Sequence, residues 1–349
     1  MRLLHNKAWD RASGAWPRLF KKGEKRNRDV DRVQNIRLRA VDLDDHPFIV
    51  ASQADFEALK ESLAVVGLLN PPWLRAKGDG RWQVVAGLKR LRAAVSLGWE
   101  SVPAASLPAD TPDRRCLLIS LHDNAFSRRF TLSEQVFWAG KLSCYFPVSK
   151  IAEDFLPLLG LPPSLKFLQR LLSAGTLEDP WHLLLAQERL ALTAAARLAL
   201  WQASDRAAAL PYFQTLPLSQ SKQEELLDWL ELLARREGAS VAEILSRPEL
   251  AAFLEDHAKN SQEKAENIRC RLKAWVFPRL VAAQAAFDQG LARLGLKQHP
   301  RLRLSPPPAF EGPDFHLEIR FRDAQELQNL LQHLLHLAKE KDFSELTSP

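Results

Sequence analysis

The stretch from Val84 to Leu97, VVAGLKRLRAAVSL, constrains the fold more than any other part of this chain. Arg81 to Ala86 is an apolar, β-rich run that follows the turn Gly78-Asp79-Gly80, and Leu88 to Leu97 repeats apolar residues at helical spacing before Gly98. A strand therefore feeds a helix through one glycine, Gly87, and three cations, Lys89, Arg90 and Arg92, fall in the first turns of that helix. The leading amides of a helix have no intrahelical partner and its N-terminus is partially positive. An anion placed there meets backbone donors, the helix dipole and cationic side chains together. The pattern predicts a phosphate-binding turn built on Gly87, Lys89, Arg90 and Arg92. A basic helix face that is merely solvated reads the same from these residues alone.

The flanking sequence supplies a small mixed sheet for the turn to sit on. IRLRAVDL, residues 36–43, alternates as a strand. Ser52 with Asp55 resembles a capping box opening a helix lined by Phe56, Leu59, Leu63 and Val66. Trp73 to Arg75 pairs with Arg81 to Ala86, and Val102 to Ala104 returns as a short strand. Thr111-Pro112 then opens a helix expected to bury Leu117, Leu118 and Leu121. From there the pattern is helical. Thr131 and Glu134 cap a helix to about Cys144, with Val136, Phe137 and Leu142 inward. Ser149 to Phe155 and Ser164 to Leu172 follow as two short helices separated by LPLLGLPP. The second would present Ser164, Lys166, Gln169 and Arg170 to a DNA major groove while Leu165, Leu168, Leu171 and Leu172 pack inward. An all-α packing unit with no DNA contact has the same pattern.

Further short helices are expected from Pro180 to Leu254, with capping boxes at Ser221/Glu224 and Ser240/Glu243 and with Arg197 and Arg206 as candidate phosphate contacts. A long helix spans Gln262 to Leu294, kinked or broken at Pro278. The C-terminal piece alternates strictly, Phe315, Leu317, Ile319 and Phe321 on one face, after a first strand at Arg301 to Ser305. A helix from Asp323, with Glu326 as capping partner, is expected to bury Leu327, Leu330, Leu331, Leu334 and Leu335. A two-stranded sheet is marginal alone, so this unit packs on the long helix or pairs with a second copy, and a homodimer is the expectation.

Composition narrows the classes. With 46% hydrophobic and 26% charged residues over 349 positions, the chain has material for two or three cores. No apolar run reaches the length of a bilayer span and no apolar signal region opens the chain, so the expected location is the cytoplasm, with no membrane partner. The net charge of +6 is concentrated: residues 1–28 carry nine lysines and arginines against Asp10 and Glu24, leaving the remainder at −1. Such a tail, with Trp9 and Trp16 among the cations, suits nucleic-acid phosphates, an anionic surface, or plain solvation. Cys116, Cys144 and Cys270 are dispersed, which argues against a disulfide frame or a metal site. His333 and His336 lie one helical turn apart without a cysteine or carboxylate cluster, which favours a surface role. No GxSxG, HExxH, Walker lysine loop or dinucleotide fingerprint is present.

Four motifs in one order carry a resemblance. FEALKESLAVVGLLN before Pro71-Pro72-Trp73-Leu74, then GLKRLRA at 87–93, then LGWESVP at 97–103, then LHDNAFSRRFTLSE at 121–134, together resemble the N-terminal domain of the ParB family of partition proteins over about residues 36–145. The family's corresponding turn reads GERRxRA. The resemblance implies an α+β chain with a small mixed-sheet ParB/sulfiredoxin-like N-terminal domain, then a mainly α-helical region with a helix-turn-helix, then a small ββα C-terminal unit. Its parts would be a basic tail at 1–35, a nucleotide-binding domain at 36–130, a helical DNA-binding domain at 131–258 and an association unit at 259–349.

It further implies CTP on Gly87, Lys89, Arg90, Arg92 and Asn124, with Asp123 and Asn124 matching a Glu-Asn pair that holds Mg2+. DNA is the expected partner, in partition or as a nucleoid-associated regulator, with a partner ATPase in the first case. Two departures bear on turnover: Leu88 stands where the family has an acidic residue, and Asp123 is one methylene shorter than glutamate. At most a weak CTPase is expected. Sulfiredoxin shares the fold but uses a cysteine after the turn glycine, and the nearest cysteine here is Cys116. The alternative is an enzyme on the same fold, a nucleotide hydrolase or a metal-dependent nuclease with His122 and Asp123 at the phosphate pocket.

Overall fold

The computed structural model describes residues 33–50, 56–125 and 129–347. Of the basic tail expected at 1–35, residues 33–35 belong to the first strand, and the rest of it, like the Ser52/Asp55 cap, lies outside the described residues. The chain divides into two compact units after Arg206.

The first unit opens with a five-stranded mixed sheet made of β1 (Val33–Arg37), β2 (Val41–Asp42), β3 (Trp73–Ala76), β4 (Trp82–Ala86) and β5 (Ser101–Leu107), in the order β1-β5-β3-β4-β2. β1 with β5 and β3 with β4 are antiparallel, whereas β3 with β5 and β2 with β4 are parallel. The single strand expected over 36–43 is therefore two. A 3-10 turn, Leu38–Ala40, separates them, and they pair on opposite edges of the sheet. In a flat sheet those edges would be about 19 Å apart, four strand spacings. The chain from Arg37 to Val41 reaches at most about 14 Å. The sheet therefore coils until its two edges approach one another.

Both faces of the sheet are covered, which is why β4 is buried from Gln83 to Ala86 and reads as a continuous apolar run. On one face, Val84, Leu74 and Ile36 join Leu63 of α1 (Phe56–Val66) and Leu88, Leu91 and Ala94 of α2 (Leu88–Ser96) in one cluster. Phe56 and Leu59 pack against that cluster, but Val66, expected on the same face, is exposed. On the other face α3 (Asp113–Ala125) packs on β4 through Cys116, Leu117, Ser120 and Leu121, with Leu118 only half-buried.

A polar chain staples the sheet. Lys77 Nζ lies 3.0 Å from Asp42 Oδ2 and 2.5 Å from Asp45 Oδ2. Gln83 Nε2 donates to Asp45 Oδ1 at 2.6 Å and its Oε1 accepts from Arg75 Nε and Nη2 at 3.0 and 2.6 Å. Arg75 Nη1 reaches Asp113 and the Thr111 carbonyl.

The rest of the first unit is helical. The Thr131/Glu134 capping box forms as expected and opens α4 (Leu132–Ser143), which buries Val136, Trp138, Ala139 and Leu142. Phe137, expected inward, is exposed and stacks on His182. The next helix, α5, is short (Val148–Lys150) and runs into a π-helical turn, Ile151–Phe155. A 3-10 turn and Gly160 at φ +77° then end it, before α6 (Leu165–Ala174). α6 packs on α4 and on Leu192–Leu198, and Asp179–Ala186 packs on α4.

In the second unit the expected cap at Ser221 is displaced: the helix Gln220–Glu237 begins after Ser219. The Ser240/Glu243 box is present and Asn260/Glu263 forms another. The long helix is broken outright into Ser261–Val276 and Pro278–Arg293, since Pro278 has no N–H to continue the ladder and Phe277 leaves the helical region. β6 (Leu302–Ser305) and β7 (His316–Ile319) form an antiparallel pair, and α7 (Ala324–Leu337) is capped by Asp323. Their core is small: Leu294, Leu296, Leu302 and Leu337, with Ile319, Leu330 and Leu334 packed on it. Leu331 and Leu335, expected to be buried, are 44% and 64% exposed, beside Leu317 at 38% and Phe321 at 52% in the same unit.

The staple has a pH signature. The Lys77 hydrogen bond holds Asp42 below its ordinary value of 3.8. At Asp45 burial pushes upward, but the bonds from Lys77 and Gln83 outweigh it. The folded carboxyls thus release their protons more readily than the unfolded ones. Their contribution is complete above the unfolded value and is lost as pH falls through the depressed folded values. Lys77→Met should therefore lower the urea midpoint at pH 7, with the gap to the unmodified protein closing below about pH 4. A gap that is constant with pH would show that the staple carries no charge dependence.

Candidate anion-binding turn and helical surface

Gly87 caps α2 with φ +89° and ψ 25°, a left-handed conformation that residues with a Cβ adopt at a cost. Steric crowding adds to this. A Cβ at position 87 would lie 2.9 Å from Arg90 Nε, Arg90 Nη2 and Pro72 Cβ. The missing side chain is the space in which the Arg90 guanidinium rests. Arg90 Nη1 donates to the Asn70 carbonyl at 2.8 Å, and Nη2 donates to Asp123 Oδ2 at 2.5 Å. The two side chains are only 15% and 23% exposed, so the ion pair is largely withdrawn from solvent.

Among the predicted residues, the structure thus brings Gly87, Arg90 and Asp123 into contact. Lys89 is half-buried and Arg92 exposed on the same helix. Asn124 follows Asp123 on α3, its Nδ2 donating to the Ser120 carbonyl at 2.8 Å. Burial alone holds His122 below its ordinary value, so its ring is neutral at pH 7. Leu88 is 7% exposed and belongs to the sheet core with Leu91 and Ala93. Position 88 lacks an acidic acceptor, as the sequence states, but its side chain faces the core and does not line the turn.

The residue pattern assigned no role to Asn70, whose carbonyl accepts from Arg90, or to Pro72, which crowds the Gly87 position. The signal was the motif order itself, which puts Pro71-Pro72 ahead of β3. In chemical terms the turn already holds an anion, namely the Asp123 carboxylate. Any phosphate that engages Arg90 competes with that carboxylate for the same guanidinium. Among the described residues no group of three histidine, cysteine, aspartate or glutamate side chains converges to hold a metal. The residues at this turn fit an anion.

On α6, Ser164 is the N-cap and its hydroxyl accepts from the Phe167 amide at 3.3 Å. Lys166 and Gln169 are exposed and Arg170 is half-buried, whereas Leu168 and Leu171 are fully buried. Leu172 is half-buried, and Leu165, expected to pack inward, is 51% exposed. Arg206 is not available to a phosphate in this arrangement, because its Nε lies 3.0 Å from both carboxylate oxygens of Glu178 and its Nη2 2.5 Å from Oε1. His333 stacks on His299 and His336 lies 3.7 Å from Glu340, so the two histidines of α7 face different partners. Two clefts, of about 510 and 730 Å³, open in the second unit, far along the chain from the cationic turn, and their linings come from residues 283–347.

Comparison with known proteins adds an independent line. The family profile described as ParB N-terminal domain matches residues 22–125, a span that contains the turn, Asp123 and Asn124. Nucleoid occlusion proteins of Bacillus thuringiensis (strain Al Hakam), Bacillus mycoides (strain KBAB4) and Bacillus cereus (strain AH820) are each 31% identical over 96 residues, 28% of this chain and 32% of theirs. The aligned part thus spans about a third of the length of these curated relatives. A C-terminally truncated chromosome-partitioning protein ParB from Caulobacter crescentus, complexed to the centromeric parS site, aligns over 55% of this chain and 97% of its own at 21% identity and a TM-score of 0.34. The same protein complexed with CTP-gamma-S aligns over 52% and 99% at a TM-score of 0.24. The profile match overlaps the segment in which the sequence motifs fall in order, and residues 22–125 of this chain are similar to the ParB N-terminal domain.

Proposed function

We propose that this chain is a ParB-type DNA-binding protein whose N-terminal domain responds to CTP, acting in partition or nucleoid organisation. The observation that carries the reading is the Gly87 turn with Arg90 seated on it, inside the segment that matches the ParB N-terminal domain. The choice of CTP rests on the likeness of GLKRLRA to the family's GERRxRA turn. In this reading the triphosphate takes Arg90 from Asp123 and gains the first amides of α2, with Lys89, Arg92 and Asn124 around it. Magnesium would arrive with the triphosphate, and Asp123 would serve it only once released by Arg90.

The functional division we propose is a nucleotide-binding domain at 36–130, a helical DNA-binding domain at 131–258 and an association unit at 259–349, after a basic tail at 1–35. α5 and α6 form the helix-turn-helix of this reading, and Ser164, Lys166, Gln169 and Arg170 meet the DNA. The open apolar surface at Leu317, Phe321, Leu331 and Leu335 is the homodimer interface. The location is the nucleoid, and a partner ATPase belongs to the reading if the role is partition. The enzymatic alternative, a metal-dependent nuclease, needs several carboxylates around one metal, and among the described residues no group of three or more histidine, cysteine, aspartate or glutamate side chains is placed to hold one.

Four measurements test this. Isothermal titration with the four nucleoside triphosphates should show CTP binding that falls about 10- to 100-fold in Arg90→Ala, the worth of a charge-assisted contact. Gly87→Ala should lose binding as well, by displacing Arg90. Phosphate release should be very slow or absent, and no binding by any nucleotide ends the CTP reading. Fluorescence anisotropy with duplex DNA should show affinity that falls steeply with salt, is weakened by Lys166→Ala and Arg170→Ala, and falls for all sequences alike when residues 1–28 are removed. Absence of binding at low salt would sink the DNA reading. Sedimentation should give a dimer for the full chain and a monomer for Leu331→Glu with Leu335→Glu. A dimer that survives the double substitution places the interface elsewhere.

A further inference from the structure

Leu165 is out of place for a residue that packing alone selected. It is the first residue of α6 and 51% exposed, although Leu168 and Leu171 on the same helix are completely buried. A lone exposed leucine is ordinary on any protein surface. What distinguishes this one is its company. At about 3.6 residues per turn, Leu165 and Gln169 are vertical neighbours, and Lys166 stands beside them on the same face. Lys166 and Gln169 are both exposed. One helix face therefore carries a cation, a carboxamide and a branched apolar side chain, with the apolar one at the N-terminal end. The Ser164 hydroxyl fixes that end by accepting from the Phe167 amide, so Leu165 is held at the first helical position.

That combination matches the chemistry of a major groove. Phosphates call for the lysine, base edges accept and donate to a carboxamide, and the thymine C5-methyl is the one apolar group exposed on the groove floor. The N-terminal residues of an inserted helix are those that reach base edges. We propose that Leu165 is a specificity-determining residue that reads a thymine methyl group. This rests on the reading of α6 as the DNA-contacting helix.

The test removes one methyl at a time. The full chain selects duplexes from a random-sequence pool, and the preferred duplex is remade with deoxyuridine in place of each thymidine in turn. Uracil pairs as thymine does and lacks only the C5-methyl. One position per half-site should lose about three- to five-fold in affinity, the worth of one buried methyl. In Leu165→Ala the thymine-to-uracil ratio at that position should fall to one, whereas Leu165→Met should keep part of it. Because Leu165 is exposed, its substitution should leave the thermal midpoint within a degree or two, and a melting curve confirms that the variant is folded. A site insensitive to uracil throughout, or a ratio unchanged in Leu165→Ala, overturns the assignment while leaving DNA binding intact. A full chain that selects no duplex removes the DNA reading itself, and this assignment with it.

Discussion

The seat of the Arg90 guanidinium is the constraint on which the N-terminal domain depends. Three segments distant in sequence meet on it: the segment before β3 through the Asn70 carbonyl, the Gly87 turn through the absence of a Cβ, and α3 through Asp123. Removing one partner of a withdrawn ion pair leaves an uncompensated charge, which costs more than the pair contributes. The turn glycine is therefore required twice over, by its left-handed φ and by the room it leaves. The same helix that begins at this turn turns Leu88 and Leu91 into the sheet core, so the orientation of the cations and the packing of the domain are one decision.

Asp123 makes the turn self-contained. A protein that binds a polyanion with preformed cations must keep those cations in place without the ligand, and an internal carboxylate does this at the expense of affinity. In the proposed reading a triphosphate brings several charges against one and also meets the N-terminal end of α2, which favours displacement on electrostatic grounds. Hydrolysis demands more. It needs a reacting water and leaving oxygens held to within about half an ångström, by residues fixed in place. At this turn the carboxylate that would help is already engaged with Arg90, and position 88 contributes a core leucine. Within the proposed function, both facts favour binding over efficient turnover.

Much of this was legible in the sequence because short-range rules governed it. The strand, the glycine and the cationic helix announced the turn, and the capping boxes at Thr131 and Ser240 formed as written. What failed was decided at longer range. Alternation over residues 36–43 looks like one strand, but the coiled sheet splits it to serve both edges. Phe137 and Leu165 have helical spacing that fits a core, yet Trp138 is buried next to the first and the second lies beyond the α6 contacts. Ser221 and Glu224 have capping-box spacing, but Ser219 opens the helix two residues earlier. Within the site, the sequence could name Arg90 and Asp123 separately. Their pairing needed the fold, since it joins residues 33 positions apart.

The small C-terminal core sets the terms for the rest of the chain. Two strands of four residues and one helix share a small core with Leu294 and Leu296, and a two-stranded sheet gains little stability alone. Its remaining leucines at 331 and 335 stay open, so the unit has apolar surface in reserve. In the proposed reading, covering that surface with a second copy would complete the core and, in the same step, tether two DNA-binding regions. Tethering raises the effective concentration of the second region at a bound site without any new DNA contact. It also imposes symmetry, so that two copies of α6 would meet inverted half-sites. In that reading, weak individual contacts by a helix as short as α6 would suffice, because each half-site contact would act twice.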